Sequence, residues 1–295
     1  MRRALMCKAC GGMFALAATA AIAAGPFADP PQAKSDKAAG DPAAEANEAH
    51  RREAEKVIRT IAMEVQDGET WTKVKPIEKP LLYYGDLTRE NDRGSLWGWS
   101  GKGRPAALIE LYQHTKDRTK WVYAACNISG KKLRASRSDA AWWRENNSAS
   151  EFKDIPGAPN PAAEAPQRQR QIKLLAQKFT AHELWDPNNT RYDLRRLERP
   201  LLTYRDEAAG ILDGALFIFA NGTNPEIILL LEARQKGKDG AKPVWQYAVG
   251  RLAHAELHLA YGGKEVFEAP RGHLVSAADR PYWLGFITSA AVPEP

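Results

Sequence analysis

Glu78-Lys79-Pro80-Leu81-Leu82-Tyr83-Tyr84 is answered 120 residues later by Glu198-Arg199-Pro200-Leu201-Leu202-Thr203-Tyr204. At the same shift Asp86 meets Asp206, Gly94 meets Gly214 and Leu96 meets Leu216. Trp97 and Trp99 meet Phe217 and Phe219, and Pro105 meets Pro225. After a short insertion, Trp121-Val122-Tyr123-Ala124 meets Trp245-Gln246-Tyr247-Ala248, and Asp139, Trp142 and Trp143 meet Asp279, Tyr282 and Trp283. Several blocks in one order, aromatic facing aromatic and Pro facing Pro, read as an internal repeat.

Each copy reads as a helix followed by strands. Val57, Ile58 and Ile61 recur at helical spacing over about 45–60, and Ile172, Leu175 and Phe179 over about 167–178. Asp67-Gly68 and Asp186-Pro187-Asn188-Asn189 are turn chemistry after the first strands. Pro80 and Pro200 suit strand starts, because proline supplies no ladder donor. Leu216 and Ile218 alternate with Phe217 and Phe219, so both faces of that strand are apolar and the strand is buried. The fold expected is α+β: two tandem repeats, each an N-terminal helix packed on an antiparallel β-meander of about five to six strands.

The boundaries expected are 1–24 signal peptide, 25–46 disordered linker, 47–155 first module, 156–166 Pro/Ala-rich linker and 167–295 second module with an extra β-hairpin around Gly262-Gly263. Arg2, Arg3 and Lys8 precede an apolar run, Met13 to Ala24, which is too short to span a bilayer and ends in small residues. An exported protein, periplasmic or secreted, with no transmembrane segment after cleavage, is the expectation. The formal charge of +6 falls to +3 without those three cations, and Lys and Arg are interspersed with acids, which argues against a nucleic-acid partner. Cys7 and Cys10 lie in the signal. Cys126, alone in the remaining chain, reads as a buried small hydrophobe.

His254, Glu256 and His258 alternate and would share one strand face. One shared metal ion is disfavoured, because strand residues four apart stand roughly 13 Å apart. A solvated strand face reads better. The candidate ligand-binding residues are these three together with Gly98, which leaves room where the second copy has Ile218, and Trp142, a candidate exposed stacking platform. No catalytic or metal-binding set and no cofactor motif can be assembled. Gly98-Trp99-Ser100-Gly101-Lys102-Gly103 is neither a nucleophile elbow nor a phosphate loop.

At Pro200-Leu201-Leu202-Thr203-Tyr204, Asp213-Gly214-Ala215-Leu216-Phe217 and Trp245-Gln246-Tyr247-Ala248 the chain resembles uncharacterised exported proteins of planctomycete-type bacteria. The resemblance implies export and an envelope setting, and no catalytic residue. The function expected is a non-catalytic envelope protein binding a protein, small-molecule or saccharide partner. The alternative is a hydrolase or isomerase with an acid- or His-lined site at the seam between the modules.

Overall fold

The structure is a computed structural model and describes residues 42–86, 92–100, 103–114, 117–138, 140–235, 242–273 and 277–288. The signal peptide, the linker as far as residue 41, and Asp139 lie outside the described residues.

The elements follow the chain. Helix α1 (Pro42–Arg59) leads to β1 (Ile61–Asp67), β2 (Thr70–Pro76), β3 (Leu82–Asp86), β4 (Asp92–Ser100), β5 (Ala107–His114), β6 (Asp117–Asn127), β7 (Leu133–Arg137), β8 (Ala140–Asn146) and the short β9 (Lys153–Asp154). Helix α2 (Ala165–Ala176) leads to β10 (Phe179–Leu184), β11 (Arg191–Arg196), β12 (Leu202–Asp206), β13 (Ile211–Asn221), β14 (Asn224–Arg234), β15 (Val244–Arg251), β16 (Glu256–Tyr261), β17 (Lys264–Ala269) and β18 (Tyr282–Thr288). A single 3-10 turn, Glu207–Ala209, joins β12 to β13. Helix α1 starts inside the segment read as linker, and α2 opens with Pro166 in its first turn, where the missing N–H has no intrahelical partner to lose.

The strands form two nine-stranded antiparallel sheets. The first runs β18-β6-β5-β4-β2-β1-β7-β8, with β3 also on β4. The second runs β9-β15-β14-β13-β11-β10-β16-β17, with β12 also on β13. The two orders correspond strand for strand. The terminal strands are exchanged: β18, last in the chain, pairs with β6, while β9, from the first half, pairs with β15. The hairpin β16–β17 therefore has a topological counterpart in β7–β8. Trp143 on β8 and Trp283 on β18 occupy opposite ends of one sheet, not matching positions in two modules. In the tight turn between β16 and β17 both Gly262 and Gly263 have positive φ, 56° and 81°, which side-chain-bearing residues rarely adopt.

The expected α+β class is overturned. The molecule is mostly β, with two helices among the described residues, and the meanders are larger and curled. The reason lies in how the apolar faces are covered. Each sheet curls so that its two ends share a core. In the first sheet, Met63 of β1 and Ala135 of β7 lie in one cluster with Trp97, Trp99, Ile109 and Trp121 of β4, β5 and β6. Helix α1 adds only Ala54, Val57 and Ile58 to it. The opposite faces of the central strands pack sheet against sheet, Leu96, Leu108, Cys126 and Ile128 meeting Leu216, Ile218, Ile228 and Leu230. This explains why the central strands are apolar on both sides. Among the described residues no helix is long and apolar enough to cross a membrane.

Candidate functional site

The central strands carry acids into these cores. Glu232 of β14 is fully buried between the two halves. Arg104, from the β4–β5 connection, grips it with Nε to Oε1 at 2.6 Å and Nη2 to Oε2 at 2.8 Å. The Tyr204 hydroxyl donates to the same carboxylate at 2.9 Å. Burial would lower the Arg104 pKa, but the Glu232 hydrogen bonds and charge outweigh it and leave it raised. Arg104 also lies over the Phe152 ring, 4.1 Å from its centroid. In the first half Tyr84 donates to buried Glu110, and burial followed by the Glu110 charge pushes the Tyr84 hydroxyl well up. Asp213 accepts from Arg168, Arg205 and Gln169. Asp206, singled out with Asp86, caps the 3-10 turn by accepting from the Ala209 N–H at 3.1 Å. The Asp86 side chain lies outside the described residues.

The sequence-predicted residues do not come together. Gly98 opens no pocket, since a side chain there would meet Ile77 Cδ1 at 2.9 Å and Leu81 Cδ1 at 3.3 Å. Trp142 is half-buried, with its ring 4.7 Å from Tyr123 and 4.8 Å from Trp283, in an aromatic cluster rather than an open platform. His254 lies in the turn before β16, where its carbonyl accepts from Gly272 at 2.7 Å. Only Glu256 and His258 share the strand face, and they meet a partner that the sequence did not join to them. His182 of β10 registers against His258, and the two rings stack at 4.5 Å with 4° between planes.

The solvent faces of the two four-stranded ends are hollows at corresponding places. In the first sheet Ala62, Ser136 and Ala141 lie in register across β1, β7 and β8. Beside this row of small side chains runs a charged one, in which Glu64 is paired in register with Lys73 and Arg134. The hollow holds about 970 Å³ and is also walled by Lys75, Arg144, Glu145 and Asp279. Arg134 is bonded to Glu64 at 2.9 Å and Glu145 to Lys132 at 2.7 Å. Among the described residues Lys73, Lys75 and Arg144 have no ion-pair partner. The hollow depends on strand pairing, which the sequence did not show, and none of its side chains was legible there as part of a site.

In the second sheet the corresponding hollow, about 700 Å³, holds the histidine pair with Arg191, Asp193 and Glu265. His258 bonds Glu265 through Nδ1 at 2.8 Å and Glu256 through Nε2 at 3.1 Å. Burial alone would lower its pKa, but these two carboxylates raise it. His182 is lowered, first by burial and then by the charges of Arg191 and His258. Among the described residues no group of three or more His, Cys, Asp and Glu side chains is placed to hold a metal ion. Comparison with family models, curated proteins and solved structures finds no match to this chain.

Proposed function

We propose that the chain is an exported, non-catalytic binding protein of a bacterial envelope, built from two diverged copies of one module and related to the exported planctomycete-type proteins it resembles. Its binding surface is the hollow on β1, β2, β7 and β8, and its ligand is anionic. The observation that supports this is the hollow itself. Small side chains form its base, and Lys73, Lys75 and Arg144 stand around it with no acid assigned to them. A volume near the upper end of the ligand-pocket range, about 300–1,000 Å³, admits a sugar acid or a small organic acid. Solvent-facing cations around a ligand of opposite charge contribute mainly to encounter and specificity, so binding weakens as salt rises.

The test is calorimetric titration of the purified protein with short oligogalacturonate, a carboxylated saccharide, at low and at physiological salt. Binding that falls with salt, and that is lost in Lys73→Glu/Lys75→Glu without a change in unfolding midpoint, supports the proposal. Binding that survives the double substitution places the ligand elsewhere. Absence of any binding at low salt removes the carboxylated saccharide as the ligand class.

A further inference from the structure

The second hollow carries groups of another kind. Across β11, β10, β16 and β17 one register line reads Asp193, His182, His258 and Glu268. Arg191 lies on the β11 side, Glu256 on β16 beside His258, and Glu265 reaches it from β17. With a carboxylate at each ring nitrogen, His258 makes both bonds at full strength only as the imidazolium, donating twice. His182 lies flat against that cation with no hydrogen bond to its own ring among the described residues, so a proton on it would set two positive rings face to face. The β16–β17 hairpin is the outer edge of the sheet. It is joined through β16 to β10, where the stacked rings sit, and the His258–Glu265 bond closes it across its own two strands.

We propose that the stacked His182–His258 pair is a pH-responsive clasp on the edge hairpin of the second sheet, closed while the two rings carry one positive charge between them. The proposal is independent of the anion-binding hollow on the first sheet. Its sign follows from the two histidines separately. His258, raised in the fold, contributes stability that is complete below the ordinary histidine value and is lost as pH climbs through its raised value. His182, lowered in the fold, contributes stability that is complete above the ordinary value and is lost as pH falls through its lowered one. The clasp is tightest between them, around the ordinary histidine value of about 6.5, and loosens on both sides.

The experiment follows the histidine Cε1–H resonances and the amide exchange of residues 264–269 in the whole protein, each exchange rate being divided by the intrinsic rate of an unprotected amide at the same pH, from about pH 4 to about pH 9, a range that brackets histidine titration. The rings are expected to titrate with distinct midpoints, His258 above and His182 below the ordinary histidine value. Exchange in β17 should quicken about fivefold on the acid side. That is the factor by which two unit charges at this separation repel in bulk water. It should quicken again on the alkaline side. His182→Gln should abolish the acid limb and keep the alkaline one, and Glu265→Gln should move the His258 midpoint down. A single common midpoint, exchange that is flat with pH in the unsubstituted protein, or an acid limb that survives His182→Gln would overturn the proposal.

Discussion

Arg104 and Glu232 join the two halves of the chain through a two-pronged ion pair, 128 residues apart in sequence, with the carboxylate fully buried and Tyr204 completing its shell. A carboxylate on β14 faces a seam built largely from leucine, isoleucine and alanine. Removing it from water is unfavourable unless its lone pairs are occupied, and here a guanidinium fork and a phenol occupy them.

Replacing Arg104 by Met should therefore destabilise the protein by about 3 kcal/mol, the cost of a buried charge that has lost its partner. Arg234 stands 3.4 Å from the same carboxylate and softens the loss. Adding Glu232→Gln should recover most of it, because the unpaired charge disappears with its partner. Denaturant titration of the two single variants and the double variant measures this coupling. Additive losses would show that the pair does not act as a unit.

Trp283 makes a second claim on the seam between sequence and fold. It lies in the last strand, yet it packs in the core of the first sheet with Tyr123 and Trp142, and β18 pairs with β6 from Tyr282 to Thr288. Trp283→Ala should cost about 3–5 kcal/mol, as large-to-small changes in packed cores do. The faster amide exchange it causes should concentrate in β6 and β18. Exchange that rises in β10 to β17 and leaves β6 protected would contradict the strand exchange.

The strands were legible in the sequence to the extent that their chemistry is local. Asp67-Gly68, Gly262-Gly263 and the two-faced apolar run through Leu216 to Phe219 announced turns and a central strand, and Cys126 read as a buried small residue. The fold class is not legible there, because helical spacing around Val57 and Ile172 suggests a helical layer, whereas the sheets cover themselves and each other and leave each helix a small patch to fill. The exchange of β9 and β18 was illegible for a different reason. An edge strand is satisfied by whichever segment reaches it, and nothing in Tyr282 to Thr288 names β6 as its partner. His182 was hidden likewise: it gains meaning only when β10 and β16 are set in register.

Gly94 and Gly214 give a sharper test of the two tyrosines. A Cβ built on either lies 2.2 Å from the ring of Tyr84 or Tyr204, so any side chain there must displace a buried phenol. Gly214→Ala should cost about 1–3 kcal/mol, typical of overpacking in a filled core, and should detach Tyr204 from Glu232. Gly214→Ala combined with Tyr204→Leu should lose less than the two changes summed, since the clash is then removed. Equilibrium unfolding of the three variants decides it, and strict additivity would mean that the ring does not rest on the glycine.

Cys126 supplies a probe for the seam as a whole. Its side chain is fully buried between Leu108, Ile128 and the residues of the second sheet, and a Cβ on Gly250 would stand 3.0 Å from its sulfur. Burial pushes the thiol up to about 12, only partly relieved by Arg251, so at pH 8 the fold holds it as the unreactive thiol. Native protein at that pH should therefore react with iodoacetamide at a rate set by separation of the sheets, not by the chemistry of an exposed thiolate. Labelling should accelerate in Arg104→Met, with the logarithm of the rate rising in proportion to the stability lost, because modification of a buried group tracks the population of the opened form when reclosing is fast. Rapid labelling of the unsubstituted protein, at the rate of a free cysteine, would show that the sheets do not close over Cys126.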